Sequence, residues 1–225
     1  MNKYLKCLET ISISFVRSMV LTSIDPKIWG PSAWSLLHAI SFHSESSYEE
    51  LKNLYGNLMH ILPCEKCRES YRNHLTVLPF PEKSNSIPKW LYLLHNRVSS
   101  TLDVKDNDHP SYRKITQLWN KNKEDAIHMA RENGWKFLFL LVKVFPSKKV
   151  ERYSSFLSSL GIFMNEVCTT IFKKDVTCST DSFKSRKSYR QWLENTYKTL
   201  ECCDNIPSHL IRVPSRVCTT VCAIR

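Results

Sequence analysis

Residues 47–67 read SYEELKNLYGNLMHILPCEKC, and this stretch decides the fold. Ser47 followed by Glu50 is a capping-box pattern that opens a helix. Leu51, Leu54, Tyr55, Leu58, Met59 and Leu62 then recur at helical spacing, so one face is apolar. Pro63 interrupts the run. Cys64 and Cys67 follow, two residues apart, in a segment set to begin another helix. Such a pair either closes a small reducible disulfide or supplies half of a zinc site.

The same periodicity extends outward on both sides. Asp25 to Ser32 reads as a lead-in loop and helix start, with a helix to about Phe42 carrying Trp34, Leu37, His38 and Ser41 along one side. A third helix is expected from about Cys64 to Leu75, and a loop from Pro79 to Pro88. Ser86 and Pro88 start a fourth helix with Leu91, Leu94, His95, Val98 and Leu102 facing inward. The polar run Asp103 to Pro110 ends it. Four helices with short links predict a four-helix bundle in an all-α protein. The chain has only 4 glycines, which disfavours sandwiches, barrels and glycine-rich phosphate loops. No GxGxxG or P-loop pattern is present.

The second half is also helical by pattern. Helices are expected over roughly Glu124 to Val144, Ser147 to Val167 and Ser185 to Leu200, with a loop-like tail from Glu201. The expected division is an N-terminal extension over 1–24, a bundle over 25–110, a second helical domain over 111–200 and a Cys-rich tail over 201–225. There is an internal echo. Trp34-x-x-Leu37-His38, then Tyr48, Leu51, Leu54 and Cys64, parallels Trp135-x-x-Leu138-Phe139, then Tyr153, Phe156, Leu160 and Cys168. Trp90-Leu91 parallels Trp192-Leu193. The second domain is thus a candidate degenerate copy of the first; the plainer reading is that amphipathic helical hairpins resemble one another.

At 225 residues the chain can bury a sizeable core. Its net charge of +11 is spread along the sequence, which reads as a basic surface rather than a nucleic-acid site. The longest apolar run, Trp135 to Phe145, contains Lys136 and Lys143 and is too short to span a bilayer, so no membrane span is expected. Met1 to Val20 lacks the continuous apolar core and A-x-A site of a signal peptide. Its Lys3, Lys6, Arg17 and serines leave an organelle presequence open. Nine cysteines without a secretory signal point to metal or redox chemistry more than to a disulfide scaffold.

A cysteine at a helix N-terminus has its thiolate stabilised by free backbone N–H groups and the helix dipole. Cys64 is expected there, exposed and open to attack, with Cys67 one turn on and pointing into the bundle. Lys66 and Arg68 add positive potential, as thiol–disulfide exchange favours. Zinc needs two more ligands. No second CxxC exists; His74 is a candidate, and Cys202 and Cys203 are distant ones. A thioredoxin-type reading needs a strand before the pair, and the preceding segment is helical. His38, His95, Trp34 and Trp90 taken singly are core residues. Together, on helices flanking a CxxC, their rings can sandwich a flat heterocycle, with the Asn96 amide available for hydrogen bonding.

Trp29-Gly30-x-x-x-Trp34-x-x-x-His38, Cys64-x-x-Cys67 and Trp90-x-x-x-x-His95-Asn96-x-Val98, in that order, resemble the Erv/ALR family of FAD-linked sulfhydryl oxidases. The resemblance covers about Ile28 to Lys105. The form Ile28-Trp29-Gly30-Pro31 looks like the versions carried by large DNA viruses. The resemblance implies a helical bundle holding FAD, with Cys67 as the flavin-proximal sulfur attacking the ring and Cys64 exchanging with incoming dithiols. It implies that Gly30, Trp34, His38, Phe42, His95, Asn96, Val98, Ser99, Leu102 and Lys105 line the cofactor. Ser99 stands where the family has Asn, Phe42 where it has Tyr, and Lys105 is displaced by one residue. The extra structural disulfide of many cellular members is missing.

Many members relay electrons through a second pair; Cys218 and Cys222 are the candidate shuttle, with incidental thiols as the alternative. Cys202-Cys203 is poorer, since a vicinal disulfide is strained, and Cys7 stands alone. In the echo Phe139 replaces His38, Ile171 replaces Cys67 and Tyr197 replaces His95, so that copy could neither bind flavin nor exchange disulfides. It could instead replace a second protomer; the expectation is an intramolecular pseudo-dimer or a homodimer.

The implied activity is oxidation of dithiols through Cys64–Cys67 to FAD and then O2, giving hydrogen peroxide. The implied partners are thiol-containing proteins or a thioredoxin-like redox protein. The implied location is a host cytoplasm or virion, or else a mitochondrial intermembrane space. The competing class is a non-enzymatic zinc-binding or nucleic-acid-interaction protein using Cys64, Cys67 and His74.

Overall fold

The computed structural model describes residues 23–44, 46–101, 109–121, 123–145, 150–160 and 185–204. Among these the regular structure is helical, with no strand. Helix α1 is Pro26–His43, α2 Tyr48–Ile61 and α3 Glu65–Val77. A 3-10 turn, Ser84–Ser86, leads into α4, Ile87–Ser100. Then come α5 Tyr112–Lys121, α6 Lys123–Val144, α7 Val150–Leu160 and α8 Arg186–Asp204.

The starts follow local chemistry. Asp25 caps α1 by accepting the Lys27 N–H at 2.9 Å, and Pro26 fills the first helical position, where a missing N–H costs nothing. The helix therefore begins at once, and Pro31, expected in the lead-in, lies inside it. Ser47 and Glu50 form the expected capping box at α2.

Helix α1 packs on α4 and α2 on α3, so the first half closes around Leu36, Leu37, Ile40, Leu54, Leu58, Ile61, Leu91 and Leu94. Buried hydroxyls tie its layers together: Tyr55 donates to the Leu37 carbonyl at 2.9 Å, and Tyr71 to the Tyr55 carbonyl at 2.9 Å. Trp90 is a core residue, edge-on to Tyr55 and Phe80, with its indole N–H on the Leu78 carbonyl.

The second half lies against the first. Helix α6 packs along α1, α7 along α2, and α8 on α6. At Gly134 the missing Cβ leaves room for the Leu36 side chain. Asn133 donates to Ser35 at 3.0 Å and Asn57 to Ser155 at 3.1 Å across this contact. The expected second helix of this half ends, as described, at Leu160; residues 161–184 lie outside the description, as do Cys168 and Ile171. The expected loop at Glu201 is corrected: the backbone stays helical through Asp204. Local propensity there carries the last turn past the end of the apolar pattern.

Candidate functional site

Cys64 is the N-cap of α3, and its sulfur accepts the Cys67 N–H at 3.2 Å. Cys64 and Cys67 are joined in a disulfide with their Cα atoms 5.1 Å apart. The helix-start placement expected of Cys64 is therefore present. Its expected exposure is not. Cys64 is 7% exposed and belongs to the hydrophobic core, while Cys67 is only partly buried. The turn that carries Cys64 is tied to the lead-in, where the Ile24 N–H donates to the Pro63 carbonyl at 2.8 Å. His74, the third zinc candidate, is bonded to Ser70 at 3.1 Å. Among the described residues no group of three His, Cys, Asp or Glu could hold a metal ion.

The ring cluster sits between α1, α4 and α5. Trp34 and His95 stack face to face, centroids 3.9 Å apart and planes within 10°. His38 bonds His95 through Nε2 and Nδ1 at 3.0 Å. The Trp34 and His95 rings therefore close on each other as one stack rather than standing as the two open jaws of a sandwich. Burial, with a smaller push from His95, lowers His38 to about 3. Burial, with a smaller push from His109, lowers His95 to about 4. Both imidazoles are neutral at neutral pH. His38 Nδ1 and His109 Nε2 are buried without a hydrogen-bond partner. A buried polar atom without a partner is costly, so each is a natural seat for a polar group on a ligand.

Two members of this site escaped the sequence reading. Trp119, on α5, stacks on Phe42 with planes 11° apart and on His38 at 6.1 Å. His43 fixes it by donating to the Trp119 carbonyl at 3.0 Å. His109 is the other. Tyr112, Ile115 and Trp119 recur at helical spacing, and that was the available signal.

Of the remaining expected residues, Gly30 is buried, and a Cβ there would meet nothing within 4 Å. Asn96, Val98 and Ser99 are half-buried on α4. Leu102, Lys105, Cys7, Cys218 and Cys222 lie outside the described residues. The backbone at Cys202 and Cys203 belongs to α8. No described helix is long and apolar enough to cross a membrane.

The echo in the sequence has a spatial counterpart. Trp135, Phe139 and Tyr197 cluster in the second half, with Tyr197 edge-on to Trp135 at 5.0 Å and to Phe139 at 6.2 Å. These are the positions matching Trp34, His38 and His95. Trp135 and Tyr197 are buried, and no imidazole stands at these three positions.

Residues 31–120 match the Erv1 / Alr family model. A probable FAD-linked sulfhydryl oxidase of Acanthamoeba polyphaga mimivirus is 28% identical over 85 residues, which cover 34% of this chain and 59% of that protein. The chain thus spans about three-fifths of the length of that relative. No solved structure matches.

Proposed function

Residues 31–120 belong to the Erv1 / Alr family, and on that premise we propose that this chain is an FAD-dependent thiol oxidase that forms disulfides in protein substrates. The observation that carries the reading is a disulfide capping a helix N-terminus in the same bundle as a neutral Trp–His–His wall. A substrate thiolate attacks one sulfur of Cys64–Cys67, forming a mixed disulfide and releasing the other cysteine as a thiolate. A second substrate thiol resolves the mixed disulfide. The substrate leaves as a disulfide, and two electrons and two protons remain with the protein's cysteines. The helix N-terminus lowers the cost of the thiolate on Cys64.

The residues fit the flavin. Trp34 and His95 present a flat face, His38 Nδ1 and His109 Nε2 are unpartnered polar atoms beside it, and Trp119 and Phe42 extend it. These residues would hold FAD, with Gly30, Asn96, Val98 and Ser99 around them. Bound FAD supplies the two-electron oxidation that restores the disulfide, with O2 as acceptor and hydrogen peroxide as product. Neutral imidazoles suit this wall because they can donate and accept without carrying charge into a buried site. The resemblance assigns exchange to Cys64 and cofactor contact to Cys67, although Cys64 is the more buried of the two. Substrates are thiol-bearing proteins or a thioredoxin-like partner. The mimivirus relative suggests a viral origin, and a host cytoplasm or virion is our reading of where such a chain would act. The packing of α6 and α7 on α1 and α2 supports a pseudo-dimer in which the second half replaces a second protomer.

The test is the purified protein. It should be yellow, oxidise a model dithiol with uptake of O2, and lose at least 100-fold of that rate on Cys67→Ala. A colourless protein with stoichiometric zinc and no thiol oxidation would sink the reading.

A further inference from the structure

The backbone that delivers the redox pair is held carbonyl by carbonyl. A helix leaves its last four C=O groups without partners, and α2 ends directly before Cys64. The Met59 carbonyl accepts from Arg72 at 3.3 Å and the Leu62 carbonyl from Arg68 at 2.5 Å. Pro63 accepts from the Ile24 N–H at 2.8 Å. The Ile61 carbonyl accepts instead from the Tyr153 hydroxyl at 3.4 Å, and Tyr153 belongs to α7 in the second half.

Tyr153 cannot easily move. It is 1% exposed, edge-on to Phe145 at 4.8 Å and to Tyr189 at 6.1 Å, while Phe145 stacks on Tyr189. Burial raises its hydroxyl far above the ordinary tyrosine value, so it remains a proton donor at any working pH. The second half reaches the lead-in a second way. Phe137 packs on Trp29, whose indole N–H holds the Ile24 carbonyl at 3.1 Å, and Ile24 in turn holds Pro63.

We propose that Tyr153 is a positioning residue for Cys64–Cys67: by holding the Ile61 carbonyl it sets how readily the disulfide opens. This rests on the pair being redox-active. A disulfide closes only over a narrow Cα–Cα range, here 5.1 Å. Backbone held at that separation keeps the two thiols within reach after reduction, which favours re-closure. Releasing the Ile61 carbonyl gives the reduced form more freedom than the closed one. The disulfide should then accept two electrons and two protons more readily from a dithiol, which is itself oxidised to its disulfide.

The experiment equilibrates the full chain with mixtures of reduced and oxidised dithiothreitol and counts free thiols on Cys64 and Cys67 by alkylation and mass spectrometry. Tyr153→Phe keeps the ring and removes the donor. It should shift the equilibrium about threefold towards the dithiol, ~14 mV for a two-electron couple. Phe145→Leu, which loosens the seat of the ring but keeps the hydroxyl, should shift it less and in the same direction. Trp135→Phe, in the cluster with Phe139 and Tyr197, should leave it unchanged. Curves for Tyr153→Phe and Phe145→Leu that overlie the unsubstituted one overturn the proposal, as does an equal shift from Trp135→Phe. If the unsubstituted pair does not open at any ratio, the redox reading itself falls, and this inference falls with it.

Discussion

His38 and His95 share one hydrogen bond, and burial forbids both from carrying charge. In the unfolded chain each titrates near 6.5; in the fold His38 is lowered to about 3 and His95 to about 4. Between those values the unfolded state binds more protons, so stability falls as pH drops below 6.5 and keeps falling to the folded values. Each histidine contributes up to about 1.4 kcal/mol of loss per pH unit in that window. His43 and His74 are lowered as well and add in the same direction. Urea unfolding at pH 7, 6 and 5 should show the fall, and His38→Asn should flatten it by about one histidine's share. A slope unchanged by His38→Asn would mean that this imidazole is not held neutral by the fold. The two histidines were legible in the sequence because they lie in phase with the apolar face of a long helix. Trp119 and His109 were not, because the polar run before Pro110 looks like a boundary. Only the folded chain brings α5 back over α1.

Helix starts were the most legible elements, and the reason is that a cap is local. Asp25 with Pro26, and Ser47 with Glu50, satisfy first-turn N–H groups from residues two or three positions away. No tertiary knowledge is needed to read them. At α2 the box is complete: Ser47 accepts the Glu50 N–H at 3.3 Å, and Glu50 accepts the Ser47 N–H at 3.1 Å. Ser47→Ala should lower the unfolding free energy by about 1 kcal/mol, read from the urea midpoint at unchanged slope. It should leave the dithiol equilibrium of Cys64–Cys67 untouched, because the cap is at the opposite end of α2 from the disulfide. A shift in that equilibrium would mean that α2 transmits strain along its length. The burial of Cys64 shows what local reading misses. Its N-cap position follows from Pro63, but its burial in the core depends on packing with residues distant in the sequence, which local reading does not give.

At the scale of the whole chain, the second half packs along the first. Helix α6 covers α1, and α7 covers α2. Trp135, Phe139 and Tyr197, the positions that echo Trp34, His38 and His95, cluster in space without an imidazole among them. That pattern is expected if packing and not chemistry is what the second half retains. The contact is close at Gly134, where an added Cβ would lie 3.1 Å from a Leu36 methyl group. Gly134→Ala sets a gain in helix propensity of ~1 kcal/mol against that crowding, and a flexible leucine can yield, so the two nearly cancel. Gly134→Val adds a branched side chain where Leu36 already sits, and should cost ~1–3 kcal/mol by overpacking between α1 and α6. If the pseudo-dimer is right, the unsubstituted chain sediments as a monomer of 26.3 kDa, its pairing faces being satisfied within one chain. Gly134→Val should then weaken unfolding resistance and expose those faces, with a concentration-dependent rise in sedimenting mass. A stable dimer of the unsubstituted protein, or a Gly134→Val variant as stable as Gly134→Ala, would show that the two halves are not held together by this face.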